Sequence, residues 1–585
     1  MPQSANSDRR SPRGRGGRRP QNDLFHTDLS KHSISRYGFL AFWFSVFMTG
    51  VGARLLDYQV FNREENLKAA DERRRGVQTL FAKRGTIYDR NGKVLATCAE
   101  CSNVYINPQN IAQEERGRVV KTLSRVLGVK RDVVRDAIDS NGTFVYIKRQ
   151  ADDDEVEQLK KEKLAGVEFE PALKRVYPNG SLASQVIGVC DIDNKGITGL
   201  EKQYDEILTG VNGWLDSERG RFGDFIAGGA YKKVPAQDGM DIMIGIDANI
   251  QRVCEDALAE GVEKAGAKYG SIIITDPKTG EIIAACSNPT YDPADLEHSA
   301  NADMNLRVVS DAYEPGSVFK TFVCAAGIDL GVITPETVFF HVPAVVKAGD
   351  DDVRDVDKRD FALDMDVREI LRRSSNTGMV LVGEKIGADK FAKHVIGDFG
   401  FGKSTGVDFP GESLGLVKKR KEYDGASVAA MSFGQSLAVA PVEMVRAMSA
   451  IANDGIMTTP HFLKTRAGEE VDWSDGETRA CGADAAHAVA DMMRTVVDEG
   501  TGQEASIKGF EISGKTGTAE RAGESGGYEA NNNMASFMGF VSTDDPRALC
   551  YITLDGTPNT SHAALPIFKQ VMEMALPELG IKPTR

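Results

Sequence analysis

The chain has few of the residues that build metal or redox centres. Its 585 residues include 8 histidines and 8 cysteines. The histidines form no His-Glu-x-x-His motif and no paired cluster, so no metal site is expected. The cysteines give no disulfide framework. Cys254, Cys286, Cys324 and Cys550 fall within apolar runs, where a thiol behaves as a small hydrophobe. Cys98-Ala99-Glu100-Cys101 has redox spacing but lacks a thioredoxin-like βαβ pattern around it. An overall positive balance is lacking too. Net charge is −14, and residues 1–36 carry eight basic against three acidic residues, about +5, which leaves about −19 for the rest. An acidic body argues against nucleic acid as the main ligand. No low-complexity or added repeat domain closes the chain, and long apolar runs are absent apart from one near the start.

What is present suits a multidomain globular protein. The length exceeds what one core supports, so two or three domains are expected. At 41% hydrophobic and 27% charged, the composition excludes disorder of the whole. Residues 1–36, rich in Arg, Gly, Pro, Ser and Asn, read as a disordered basic cytoplasmic tail. Tyr37 to Ala53 is an uncharged run, and with Arg54 snorkelling and Leu55-Leu56 beyond it the span 37–56 reads as a membrane anchor. The basic residues before it place the tail in the cytoplasm and the body outside. Val51-Gly52-Ala53 resembles a signal-peptidase site, but a 36-residue leader is long for a signal peptide, so an uncleaved anchor is favoured.

Three short motifs follow in order. In Tyr313-Glu314-Pro315-Gly316-Ser317-Val318-Phe319-Lys320, Pro-Gly suits a helix entrance and the apolar run after Ser317 reads as helix. Ser317 then lies in the first turn, with Lys320 one turn on and on the same face. A hydroxyl nucleophile needs an adjacent base, and a lysine serves only where its surroundings favour the neutral amine. Alone, Ser-x-x-Lys is more often plain helix surface. Ser374-Ser375-Asn376 comes after a helical pattern over 367–373, where it could simply cap a helix or turn. Lys515-Thr516-Gly517-Thr518 comes after strand-like 509–513, where Lys515 could be a solvated strand lysine. Taken together and in this order, the three resemble the motif set of the penicilloyl-serine transferases.

Further residues extend the resemblance. Arg84-Gly85-Thr86-Ile87-Tyr88-Asp89-Arg90-Asn91-Gly92 reads as strand and Asn-Gly turn, a hairpin with salt-bridged rims. It is similar to the signature that opens the non-catalytic domain of class B penicillin-binding proteins. Arg175-Val176-Tyr177-Pro178 and Gly196-Ile197-Thr198-Gly199-Leu200-Glu201 continue the likeness. The connection from Gly188 to Gly196 is short where elongation-type relatives carry an insertion, so the chain resembles the division-type branch.

The expected fold class is α+β: a transmembrane helix over 37–56, an elongated non-catalytic pedestal over 57–235, and a transpeptidase domain over 236–580 with an antiparallel sheet and a helical lobe. The charged stretch from Leu55 to about Gly76 reads as helix. A Gly-, Lys- and Asp-rich stretch around 220–239 marks the boundary. Helices are expected from about Ala248 to Ala267, capped by Asp247, and from Pro566 to Ala575. Strands are expected over 271–275, 281–286, 535–541 and 548–554.

Two decoys need separate treatment. Lys278-Thr279-Gly280 precedes Ser317, and Asp-Pro-x-x-Gly turn chemistry accounts for it. Gly509 to Thr516 matches the phosphate-loop pattern letter for letter, but strand lies where loop should be, and glycines follow where a helix should start.

The resemblance implies the chemistry. Ser317 would attack a D-Ala-D-Ala carbonyl of a peptidoglycan stem peptide, and Lys320 would take its proton. Ser374 would relay that proton to the leaving amine, while Asn376 orients Lys320 and the substrate. Lys515 and Thr516 would face the substrate carboxylate, with the Thr518 hydroxyl a second candidate for it, and Gly517 would allow close approach. The amides of Ser317 and Thr518 would form an oxyanion hole, where losing one donor costs about 3–4 kcal/mol. β-Lactams would acylate Ser317; no cofactor is implied. The implied partners are the membrane, a membrane glycosyltransferase and other division proteins, at the septum. An elongation-specific transpeptidase, a β-lactam receptor or β-lactamase, and a catalytically silent division scaffold are the alternatives.

Overall fold

The structure is a computed structural model that describes residues 31–66, 75–140, 142–218, 231–349, 351–522, 528–541, 546–558 and 561–583. The Arg-rich tail up to residue 30, and most of the expected boundary stretch, lie outside them. Two compact units emerge: Met1–Gln78 with Leu215–Lys233, and Thr79–Trp214 with Val234–Arg585.

In the first unit a helix spans Lys31–Leu56 and continues as a π-helical turn through Phe61. Phe39, Phe42, Trp43, Phe44 and Phe47 are all exposed on it. The span Arg36–Phe61 contains an 18-residue window of mean hydropathy 1.6 and is long and apolar enough to cross a membrane. The helix expected to run on to Gly76 does not reach it. Arg75 and Gly76 already belong to the strand Arg75–Leu80, one of three in a sheet with Gly213–Glu218 and Tyr231–Val234. Pairing in the sheet overrides the local helical pattern.

The second unit begins with the expected hairpin, Ile87–Tyr88 and Val94–Ile106. Gly92 turns it at φ +83°, and Asp89 Oδ1 accepts from the amides of Asn91 (2.9 Å) and Lys93 (2.7 Å). The long strand pairs antiparallel with Val145–Ala151 and Val167–Val176. Helices Arg116–Leu127, Arg131–Asp139 and Asp153–Glu162 cover one face, burying Val104, Ile106, Leu123, Val134 and Leu159 together.

The ion pairs expected on the hairpin rims lie partly in the interior. Arg84 Nε and Arg175 Nε each donate at 2.6 Å to the fully buried Glu201 carboxylate, and Arg84 Nη1 reaches Asp205 at 2.7 Å. Three stretches distant in the chain thus meet at one carboxylate. The same hairpin fastens the helix that follows. Asn91 Nδ2 donates to Asp247 Oδ2 (2.8 Å), and Asp89 Oδ2 accepts from the Ala248 amide (3.2 Å). Asp247 itself caps helix Ala248–Ala265 through the amides of Asn249 and Ile250. Two carboxylates at the positive end of that helix suit its dipole.

A five-stranded antiparallel sheet carries the rest, in the order Ile282–Asn288, Tyr269–Thr275, Leu549–Thr557, Tyr528–Val541, Ile512–Ala522. Alternate residues face opposite sides. Ile272, Ile274, Phe537 and Ile552 pack with helices Ala248–Ala265 and Ala564–Glu578. Ile273, Met538, Phe540 and Tyr551 face the helical lobe containing Phe322, Met448 and Val489. The last strand of the order, Ile512–Ala522, is an edge. Both decoys find their places: Gly280 (φ +83°) turns the 275–282 hairpin, and Lys515-Thr516 lie inside a strand with no helix starting there.

Candidate active site

Ser317 lies in the 3₁₀ turn Gly316–Phe319, which runs directly into helix Lys320–Asp329. The turn is wedged between two backbones. Gly316 (φ +56°) donates its amide to Gly434 O at 3.1 Å, and a Cβ on Gly316 would stand 2.4 Å from Thr518 O. Gly434 (φ +84°) could carry no side chain either, because its Cβ would lie 2.0 Å from Gly316 O. Behind the turn, Phe319 and Phe322 are fully buried against Phe401 and Phe399, with ring centroids 4.9 and 5.3 Å apart. The half-buried Ser317 therefore sits on a rigid support.

Helix Val367–Arg373 ends at Ser374, whose φ of +61° is the left-handed conformation usually left to glycine. The cap reading of the Ser-x-Asn motif holds for its middle residue. Ser375 Oγ accepts from the Gly378 amide and opens helix Asn376–Ile386. Ser374 is thereby freed to point both its oxygens elsewhere. Lys320, completely buried, brings Nζ to Ser374 O at 2.6 Å, Asn376 Oδ1 at 2.7 Å and Ser374 Oγ at 3.3 Å. Asn376 Nδ2 donates to Arg354 O (3.0 Å), which turns its Oδ1 toward the lysine.

Lys515 approaches from the edge strand. It is also completely buried, and its Nζ donates to Ser374 Oγ at 2.9 Å and Thr516 O at 3.1 Å. The strand lies flush against the serine turn because residue 517 is glycine. A Cβ there would overlap Ser536 Oγ (2.3 Å) and Val318 Cγ2 (2.9 Å). All eight motif residues thus gather where the helix, the left-handed turn and the edge strand meet.

The electrostatics follow from two buried lysines that make no ion pair with a carboxylate among the described residues, Asp355 acting on Lys320 only at longer range. Burial first, and then the charge of Lys515, push Lys320 far below the usual lysine range. Burial brings Lys515 down to about 7. As a neutral amine, Lys320 can spend its two N–H bonds on the two short contacts, to the Ser374 carbonyl and the Asn376 amide oxygen. Its lone pair is then left to accept a hydroxyl proton.

Three participating residues carry no local signal. Asp355 accepts from the amides of Asn376 (2.7 Å) and Thr377 (3.0 Å) and from Ser375 Oγ, and it pairs with Arg359 Nε at 3.0 Å. Burial opposes its charge, yet these hydrogen bonds and the nearby Lys320 hold its carboxyl below the usual range. Thr501 Oγ1 lies 2.9 Å from Thr516 Oγ1. Gly434 is the third. Only the glycine of Ser432-Phe433-Gly434-Gln435-Ser436 hints at a close approach.

Similar proteins fit this geometry. Residues 270–573 match the family model "Penicillin binding protein transpeptidase domain", and residues 79–244 match "Penicillin-binding Protein dimerisation domain". The chain is 32% identical over 563 residues to "Probable peptidoglycan D,D-transpeptidase PenA" of Neisseria meningitidis, covering 94% of each chain. It is 31% identical over 528 residues to stage V sporulation protein D of Bacillus subtilis, covering 86% of this chain and 79% of the relative. A crystal structure of penicillin-binding protein 2X from Streptococcus thermophilus superposes with a TM-score of 0.70 at 25% identity, covering 86% of this chain and 81% of that one. The chain belongs to the class B penicillin-binding proteins, with a dimerisation-type domain followed by a transpeptidase domain.

Proposed function

We propose that this protein is a membrane-anchored serine D,D-transpeptidase that cross-links peptidoglycan stem peptides at the division septum, with its catalytic domain outside the cytoplasm. One observation carries the catalytic reading: a single hydroxyl, Ser374 Oγ, is shared by two buried lysines, one from the helix of Ser317 and one from the facing strand.

The steps follow from that sharing. Lys515 donates to Ser374 Oγ at 2.9 Å, so the Ser374 hydroxyl hydrogen is directed away from Lys515 and is free to meet the leaving nitrogen, while the Lys320 lone pair stays open to Ser317. Lys320 removes the Ser317 proton as Oγ attacks the carbonyl of the penultimate D-Ala. The amides of Ser317 and Thr518 stabilise the developing oxyanion; the Thr518 backbone lies on the strand edge facing Gly316. The proton passes from Lys320 through Ser374 to the leaving nitrogen. The C–N bond then breaks, D-Ala departs, and an ester remains on Ser317. An acceptor amine reverses the sequence, returning a proton to Ser317 and forming the new amide. Lys515, Thr516 and Thr518 hold the terminal carboxylate, whose charge raises the protonated fraction of Lys515 when it binds. A β-lactam enters the same path and stays as the ester.

The septal assignment rests on the short Gly188–Gly196 connection, closed here by the Cys190–Gly196 bridge and the Asp191 turn. A membrane glycosyltransferase and other division proteins are the proposed partners. The test is labelling of intact cells with a fluorescent penicillin. Wild type is expected to label at midcell and Ser317→Ala to lose both labelling and complementation. Labelling that survives Ser317→Ala, or growth that does, would overturn catalysis, the second pointing to a scaffold. Sidewall signal would overturn the septal role.

A further inference from the structure

Helices Arg116–Leu127 and Arg131–Asp139 meet end to start, with Arg116 Nη1 3.0 Å from Asp139 Oδ1. Between them runs a groove of about 650 Å³. Arg116, Lys121, Arg131 and Arg135 line it against one carboxylate, Asp139, in a chain whose net charge is −14. Val120 and Ile138, both buried, are its apolar floor, and Gly117 leaves the mouth open.

The helix starts themselves do not call for these cations. Arg116 and Arg131 are the first residues of their helices, where the dipole favours anions, and neither helix has a side-chain cap. The cations are also thinly compensated. Arg135 pairs with Asp132 (2.8 Å), while Lys121 and Arg131 make no ion pair among the described residues. The Arg116 Nε is buried and without a partner among the described residues. Cations set along one groove repel one another unless something negative lies between them. Guanidinium forks pair bidentately with phosphate oxygens, and a tetrahedral phosphate presents oxygens in several directions at once, so it can meet cations from both helices.

We propose that this groove binds a soluble chain of phosphate or phosphodiester groups. Two cations from each helix would clamp it while its backbone lies over Val120 and Ile138. The inference is independent of the catalytic reading, since none of these residues belongs to the Ser317 site.

The test is hydrogen–deuterium exchange of the detergent-solubilised full chain with and without sodium tripolyphosphate at matched ionic strength. Exchange across 113–139 is expected to slow about threefold or more in wild type, and not in the Lys121→Gln/Arg131→Gln double variant. Both substituted residues are exposed, and unchanged penicillin labelling of the variant verifies its fold. Protection confined to the Arg-rich residues 1–36, or protection of 113–139 that survives the double substitution, would overturn the proposal. So would protection by phosphatidylglycerol vesicles without any by tripolyphosphate, which would assign the groove to a membrane surface.

Discussion

Among the places where the described residues bury positive charge, two do it in opposite ways. In the dimerisation-type domain, Arg84 and Arg175 close on one carboxylate, Glu201, with Asp205 at the rim. At the candidate active site, Lys320 and Lys515 meet across a neutral hydroxyl and neutral carbonyls. Burial works against the guanidinium of Arg84 too, but Glu201 outweighs it and the charge is retained. Neither lysine is ion-paired among the described residues, and burial brings both down, the more distant Asp355 offsetting it only in part at Lys320. A buried cation with a carboxylate holds a structure together. A buried amine without one can exchange a proton near neutral pH, which is what acyl transfer requires.

Removing each centre should separate the two roles. Lys320→Met is expected to lower the rate of penicillin acylation by about a thousandfold, the usual scale of a lost general base. Its unfolding midpoint should move by no more than about 3 °C, because a disfavoured buried amine is removed along with its hydrogen bonds. Glu201→Gln should do the reverse. It leaves buried Arg175 without a counter-charge and Arg84 with only the rim carboxylate of Asp205, and should cost about 3–5 kcal/mol of stability. The folded fraction should still acylate at close to the wild-type rate. Chemical denaturation alongside single-turnover labelling measures both. If Lys320→Met destabilised the protein as much as Glu201→Gln, the contrast between the two centres would be lost.

The pH dependence sharpens the contrast. The fold holds Lys515 at about 7, whereas an unfolded lysine titrates near 10.4. Between those values the unfolded chain binds a proton that the folded one does not, so stability rises with pH. Measured against Lys515→Met, the slope should be about 1.4 kcal/mol per pH unit from about pH 7 to 10, and flat below. The stability difference between wild type and Glu201→Gln should be flat across that window, since guanidiniums do not titrate there. Lys515→Met also removes a charge that helps hold Lys320 down. The rising limb of its residual acylation should therefore move to higher pH than in wild type.

How far the sequence reaches depends on how local each contact is. Ser317 and Lys320 share one helical turn, and Lys515 to Thr518 share one strand, so residue spacing alone places them. The antiparallel sheet, its flanking helices and the Asp247 cap were legible for the same reason. Asp355 stands 20 residues before Ser375 in a stretch of alternating charge, and only the folded chain brings it to the start of the Asn376 helix. The meeting of Arg84, Arg175 and Glu201 spans 117 residues, and no spacing announces that their charges are interior rather than on a hairpin rim. The strand at Arg75 was hidden because its partner, Gly213–Glu218, lies more than a hundred residues downstream.

Thr501 offers the finest test of the boundary between holding and reacting. It lies in the loop after helix Ala483–Glu499, and Arg372 Nη1 ties that loop down through Glu499 O at 2.8 Å. A hydroxyl–hydroxyl contact of 2.9 Å to Thr516 fixes which way the Thr516 hydroxyl points. If Thr516 meets the substrate carboxylate, Thr501 acts through it as a positioning residue. Thr501→Val should then lower acylation efficiency by about tenfold, the scale of one hydrogen bond, for a penicillin with a free carboxylate. For the methyl ester of the same penicillin, which offers no carboxylate, wild type and variant should react alike. Thr501→Ser, which keeps the hydroxyl, should restore the difference between acid and ester. An equal loss for acid and ester would mean that Thr501 supports only the loop, and that the carboxylate is held by other groups than Thr516.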